Sequence, residues 1–358
     1  MRTNDLFGDI EVIDSHVHIH GWENSKGENF IHGYDEYIGE FGFRSINIAA
    51  LPSAYRDVSN NIIAAFYKLT DPKVYAHGGL IYNTDPRDCE GMDPVLQYNE
   101  LMDIGFDGIK MLEGKPSVYV YHNIPLCDDF YDDFFAECEK NNTHILMHVN
   151  DPEEFWDPKY ATEENIKKGW FYGDSRYIRN KDMYDQIYKL LENHPKLSLT
   201  LAHFFFMSKT PEKLEELFEK YENLAVDITP GGEMFIAFNE RYDYFRKFFT
   251  KYSSRILFGT DSDFPTHMPA MEWLADRLFK YVATDIATDA WPKEPLRGLN
   301  LDKKDAQNIM GANFVRRVSE KPKAINKIAL KNYIEKYKRF IKNEGIAKKV
   351  DAMSEKLL

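Results

Sequence analysis

Eight short apolar runs recur along the chain, and amphipathic, charge-rich stretches separate most of them. The runs are EVIDSHVHI (11–19), FRSINIAAL (43–51), KVYAHGGLI (73–81), FDGIKML (106–112), THILMHV (143–149), LSLTLAHF (197–204), NLAVDIT (223–229) and RILFGTD (255–261). Their lengths suit buried strands. DDFYDDFFAECEKNN (128–142) and TPEKLEELFEKYEN (210–223) carry apolar residues three and four apart and read as helices. Strands that alternate with helices pair in parallel, and eight such units close a (β/α)8 barrel. The predicted fold class is therefore α/β, with a barrel over residues 1–319.

Two connections depart from the pattern. Residues 151–196, between the fifth and sixth runs, form a long loop insertion, and only KDMYDQIYKLLENHP near its end reads as a helix. A loop that leaves the C-terminal end of a barrel strand stands on the face that carries chemistry, so this one is a predicted lid or pocket wall. Residues 266–300 are a second, weaker example. From residue 320 onward the chain holds 11 Lys/Arg against 5 Asp/Glu, although the whole chain has a net charge of −13. This basic tail, 320–358, is predicted to be helical and to pack on the acidic barrel or at a subunit contact; an anionic partner is the alternative.

The bulk properties narrow the function classes. An acidic chain repels phosphates over most of its surface, which argues against nucleic acid as the partner. Hydrophobic residues at 43% supply a large core. No run reaches the ~18 apolar residues of a membrane span, and the first residues show no leader-peptide core, so a cytoplasmic protein away from membranes is expected. Cys89, Cys127 and Cys138 are odd in number and lack CxxC spacing, which argues against a disulfide framework or a cysteine-bound zinc.

Residue types at the run ends point to a metal. In IDSHVHIHG, alternation along a strand turns Asp14, His16, His18 and His20 inward and Ile13, Val17 and Ile19 toward the helices. His16 and His18 then stand side by side near the strand's C-terminal end, aimed at one point, while His20 falls in the loop beyond. His148 ends the fifth run, His203 the sixth and Asp261 the eighth. All converge on one mouth of the barrel. Buried together without a cation, these groups would leave costly unpaired polar atoms. Asp14 reads as a structural carboxylate, or as one that orients an imidazole, rather than as a catalyst. His32, His77, His122, His144 and His194 read as ordinary histidines.

The stretches IDSHVHIHG, GFDGIKML, ILMHVND, LTLAHF, ILFGTDSDFP and NIMGANFVRR make the chain resemble the amidohydrolase superfamily of metal-dependent TIM-barrel enzymes. The resemblance spans residues 11 to 318 and is nearest to the branch holding both hydrolases and nonoxidative decarboxylases. It implies a divalent metal, Zn2+ by preference with Mn2+ or another ion as alternatives, on His16, His18, His148 and Asp261. It also implies catalytic roles for Asp261, as the base that takes a proton from water, and for His203, as a ligand or as a donor to the reacting carbonyl. Lys110 faces inward from the fourth run. Some relatives carry a carbamylated lysine there that bridges two metals; the alternative is a charged lysine that meets Asp14, Glu113 or an anionic substrate, with a single metal.

The expected activity is hydrolysis of an amide, ester or lactone bond of a small molecule, with decarboxylation of a small aromatic carboxylate as the rival. A noncatalytic metal-binding protein is a third reading, against which the intact ligand set argues. In the long loop, Trp170, Tyr172, Arg176 and Arg179, with Trp156 nearer its start, suit a flat or anionic substrate, unless the loop packs its own aromatics. Thr229, Glu233 and His267 are predicted to face the same mouth. Barrels of this kind often pair, so a homodimer is the one macromolecular partner expected.

Overall fold

The computed structural model describes residues 7–19, 42–52, 57–82, 92–264 and 268–357. His20, His32, Cys89 and His267 lie outside the described residues. Within them the apolar runs form β1 (Ile13–Ile19), β2 (Ser45–Ala49), β3 (Val74–Gly78), β4 (Gly108–Gly114), β5 (Ile145–Val149), β6 (Leu199–Leu201), β7 (Leu224–Asp227), β8 (Ile256–Leu257) and β9 (Ser262–Phe264). Neighbours pair in parallel in the order β8-β7-β6-β5-β4-β3-β2-β1-β9. The eighth run supplies β8, which pairs with β7, and the residues just past its end add β9, which pairs with β1. Between the two pieces, Ser15 N donates to Phe258 O at 3.2 Å and Asp261 N donates to His16 O at 2.8 Å. One interrupted strand therefore bonds both edges and closes the TIM barrel.

The helices follow the predicted pattern. Asp129–Lys140 starts on Asp128, whose carboxylate accepts from Phe130 N, and buries Tyr131, Phe134, Phe135 and Cys138 on one face. Pro211–Lys220 has its proline in the first turn and buries Leu214, Leu217 and Phe218. The tail forms helices Lys327–Tyr337 and Glu344–Ser354. It lies on the barrel's own helices: Lys336 and Tyr337 bond Glu100, Tyr333 bonds Asn61 at 2.9 Å, and Lys342 N donates to Asp57. Among the described residues no helix is long and apolar enough to cross a membrane.

The barrel interior is layered. At the bottom, Ile13, Tyr75, Ala225 and Leu257 pack together with Phe314, and residues of such distant strands meet only inside the ring. Ile13 therefore points inward, contrary to simple alternation. The reason is a bulge: Asp14 pairs with Ile46 but Val17 pairs with Ile48, so β1 carries one extra residue. That residue resets the parity and leaves Ile13, His16 and His18 on the same inner side. Above the plug, Asn47, His77, His144 and Thr200 form a buried polar chain. Ala49, Leu146 and Ala202 pack over it. The remaining inward side chains stand at the mouth.

Candidate metal centre

His16 and His18 are each held from behind. His16 Nδ1 donates to Asp227 Oδ2 at 2.9 Å, and His18 Nδ1 donates to the Ala49 carbonyl at 2.7 Å. Both Nε2 lone pairs are thereby turned to one point, as in a metal-ligating histidine backed by a carboxylate or carbonyl. Asp261 Oδ1 lies 3.0 Å from His18 Nε2 and 3.5 Å from His16 Nε2. One donor atom from each of the three falls within 4.8 Å of the others. Burial, then the charge of Lys110, holds the His16 pKa down at about 4, so the imidazole is neutral and ready to donate its lone pair. Two imidazoles and a carboxylate in this arrangement fit a divalent ion.

Asp261 owes its place to an unusual backbone. Its φ is 55°, its N–H donates to His16 O, and its side chain stays 33% exposed while His16 is sealed. Burial raises its pKa, but the three imidazoles of His203, His18 and His16 outweigh that and hold it well below the ordinary carboxylate range. Asp14 fixes the preceding residue, accepting from Thr260 N at 3.0 Å and Thr260 Oγ1 at 2.7 Å. It is thus the structural carboxylate, not the one that orients an imidazole. A Cβ at Gly259 would come within 2.8 Å of His16 Cβ and Thr229 Cγ2, so only glycine lets β1 approach this closely.

His148 and His203 form a second tier beside this group. Their facing nitrogens, His148 Nδ1 and His203 Nε2, are 3.1 Å apart. His148 Nε2 donates to Asn150 O at 2.8 Å. The Thr229 hydroxyl donates to Asp227 Oδ1 at 2.5 Å and so accepts from His203 Nδ1 at 3.0 Å. Both facing nitrogens therefore present lone pairs, which a shared proton or a cation must reconcile. His203 Nε2 also reaches Asp261 Oδ2 at 3.9 Å. His203 stands in left-handed backbone with Phe204, Phe205 and Phe206, four non-glycine residues at φ between 51° and 56°, the kind of local strain that collects at functional sites.

Lys110 is buried, and its Nζ lies 2.9 Å from His16 Nε2. Burial brings its pKa down to about 8. It meets the same lone pair that a metal would use. Lys115, just past β4, lies 3.0 Å from Asp151 Oδ1.

The loop residues fall differently from expectation. Arg176 is 72% exposed and paired with Asp174; Arg179 is 81% exposed and paired with Asp182. Their guanidinium groups are engaged at the surface by carboxylates two and three residues away. Trp170 stacks on Phe155, and Trp156 packs on Tyr172, so the loop does pack its own aromatics. Of this set Tyr172 alone turns in, its hydroxyl donating to Asp151 Oδ2 at 2.7 Å. Glu233 lines a cavity of about 260 Å3 with Phe206, Met207 and Lys209. Sequence reasoning missed Asp227, Thr260, Lys115 and Asp151. The available signals were an inward aspartate ending the seventh run and polar residues just past the fourth and fifth.

The closed barrel and its polar mouth define an α/β-barrel protein of the kind that works at the C-terminal ends of its strands. The family model described as Amidohydrolase matches residues 13–313, and the chain belongs to that enzyme family. No curated protein sequence matches it. Among solved structures it is similar to an uncharacterised TIM-barrel protein from Bordetella bronchiseptica, at 12% identity and TM-score 0.52, over 86% of this chain and 98% of that one. It is also similar to 2,6-dihydroxybenzoate decarboxylase from Rhizobium, at 14% identity and TM-score 0.50, over 86% and 98%. A third is 4-oxalomesaconate hydratase from Rhodopseudomonas palustris, at 12% identity and TM-score 0.51, over 86% and 95%. At these identities the likeness is one of fold.

Proposed function

We propose that the protein is a divalent-metal-dependent hydrolase that opens an amide, ester or lactone bond of a small molecule. The observation that carries this reading is the convergence of His16 Nε2, His18 Nε2 and the part-exposed Asp261 carboxylate. His148 is the further ligand, one tier away, and Zn2+ is the first ion to try, ahead of Mn2+. When bound, the ion supplies Lewis-acid polarisation of a substrate oxygen and a more acidic water. Asp261, part-exposed, takes the proton of the attacking water and returns it to the leaving group. Asp227 keeps His16 in the tautomer whose lone pair faces the centre. His203, fixed by Thr229 through Nδ1, turns the Nε2 lone pair toward the centre and is placed to serve as a further ligand. Lys110 remains an ammonium group that meets the substrate, beside one metal.

The test is a panel of esters, lactones and amides with the parent protein and Asp261→Asn. Turnover by the parent that is lost in the variant supports the assignment; equal turnover in both contradicts it. A second reading, nonoxidative decarboxylation of a small aromatic carboxylate, is favoured by the buried Lys110 ammonium, a partner for a carboxylate, and by the shared fold of 2,6-dihydroxybenzoate decarboxylase. Release of CO2 from hydroxybenzoates, without hydrolysis of the panel, would select it.

A further inference from the structure

Beside Lys110, a second ammonium group stands at the mouth: Lys115, just past β4. Its side chain is 30% exposed, whereas its partner Asp151 is only 6% exposed. An ammonium group has three hydrogens to donate. Asp151 Oδ1 takes one, at 3.0 Å. His148 Nε2 is 3.5 Å away but spends its own hydrogen on Asn150 O, so it has no lone pair for the lysine. Among the described residues Asp151 is the one carboxylate that pairs with this ammonium. A part-exposed ammonium with one such partner keeps hydrogens for a further acceptor.

The arrangement is also rigid. Asp151 is fixed from its second oxygen by the Tyr172 hydroxyl and sits against His148. The lysine is thus held before any ligand arrives, which lowers the cost of ordering it on binding. Lys110 and Lys115 place two ammonium groups at the strand ends of this mouth, a local attraction for an anionic group.

We propose that Lys115 anchors a carboxylate group of the substrate, so that the enzyme acts on small anionic molecules. This rests on the proposed function only in placing the substrate at this mouth.

The probe is benzoate, with benzamide as its uncharged counterpart, titrated calorimetrically into the full chain of measured metal content. The parent should bind benzoate more tightly than benzamide. Lys115→Met should weaken benzoate about tenfold, the scale of a lost charge-assisted hydrogen bond, and leave benzamide unchanged. Lys115→Arg should keep most of the preference. Because Lys115→Met strands a buried carboxylate, the double variant Lys115→Met with Asp151→Asn serves if the single one fails to fold. No benzoate binding by the parent, an unchanged benzoate affinity in the folded methionine variant, or equal weakening of both ligands would overturn the assignment. Turnover is not part of this readout. Failure of the hydrolase reading therefore shows on the substrate panel, and failure of the Lys115 assignment shows in the titration.

Discussion

The barrel holds two layers of histidine, and they differ in how their nitrogens end. In the lower layer His77 Nδ1 meets Asn47 Oδ1 at 2.7 Å, His77 Nε2 meets His144 Nδ1 at 2.8 Å, and His144 Nε2 meets Thr200 Oγ1 at 2.8 Å. Every nitrogen is used, and one direction of donation satisfies all four residues with both rings neutral. In the upper layer the Nδ1 atoms of His16 and His18 are anchored, but their Nε2 atoms run together on a part-exposed carboxylate. Buried histidines alone therefore do not mark a metal site. Lone pairs that the backing hydrogen bonds turn to one point, beside a carboxylate, mark a candidate one.

The contrast can be broken or sharpened by substitution. The largest effect belongs to Asp261→Asn: turnover should fall by about 10²–10⁴-fold while most of the metal stays, as measured by kinetics beside elemental analysis. Next comes Asp227→Asn, which frees His16 from its backing and should weaken metal binding by about 10–100-fold in a competition titration with a chelator. An equivalent change in the lower layer should act on stability only. His144→Leu strands His77 Nε2 and the Thr200 hydroxyl, at about 1–3 kcal/mol in denaturant melts, with unchanged metal content.

Acid sensitivity sharpens the same contrast. Burial, then the charge of Arg317, lowers the His144 pKa to about 3, and burial holds His77 well below its ordinary value. The unfolded chain takes up these protons near pH ~6.5 and the folded chain does not. Stability therefore rises with pH across this window and falls on acidification from about pH 6.5 toward 3, by ~1.4 kcal/mol per pH unit for each histidine. His144→Leu should remove one such share from the slope of stability against pH; an unchanged slope would mean that the ring is protonated in the folded protein. The smallest effect is reserved for Arg176→Ala and Arg179→Ala. Both are surface pairs, and neither variant should change benzoate affinity or the melting temperature measurably.

Much of the upper layer was legible because barrel geometry turns run ends into neighbours. His16, His18, His148, His203 and Asp261 needed only a strand count and the rule that C-terminal ends share a mouth. Ile13 was misplaced because strict alternation has no room for the extra residue of β1, and a bulge leaves no mark in hydrophobicity. Asp227 escaped notice because one aspartate at a strand end looks like the start of a turn; its value lies in the imidazole it meets across the barrel. Arg176 and Arg179 were read as suited to an anionic substrate, and their pairing with Asp174 and Asp182, two and three residues away, did not enter that reading. Lys115 was passed over for the opposite reason, since its partner Asp151 comes from another strand and is invisible without the fold.

Metal content per chain tests the central claim most directly, measured by elemental analysis of the parent, of His16→Ala with His18→Ala, and of His144→Leu, each after reconstitution with zinc or manganese. About one ion per chain is expected in the parent and in the folded His144→Leu protein, with loss in the double variant, as suits a single set of donors around one ion. No metal in the parent, or the parent's content retained without His16 and His18, would contradict the account.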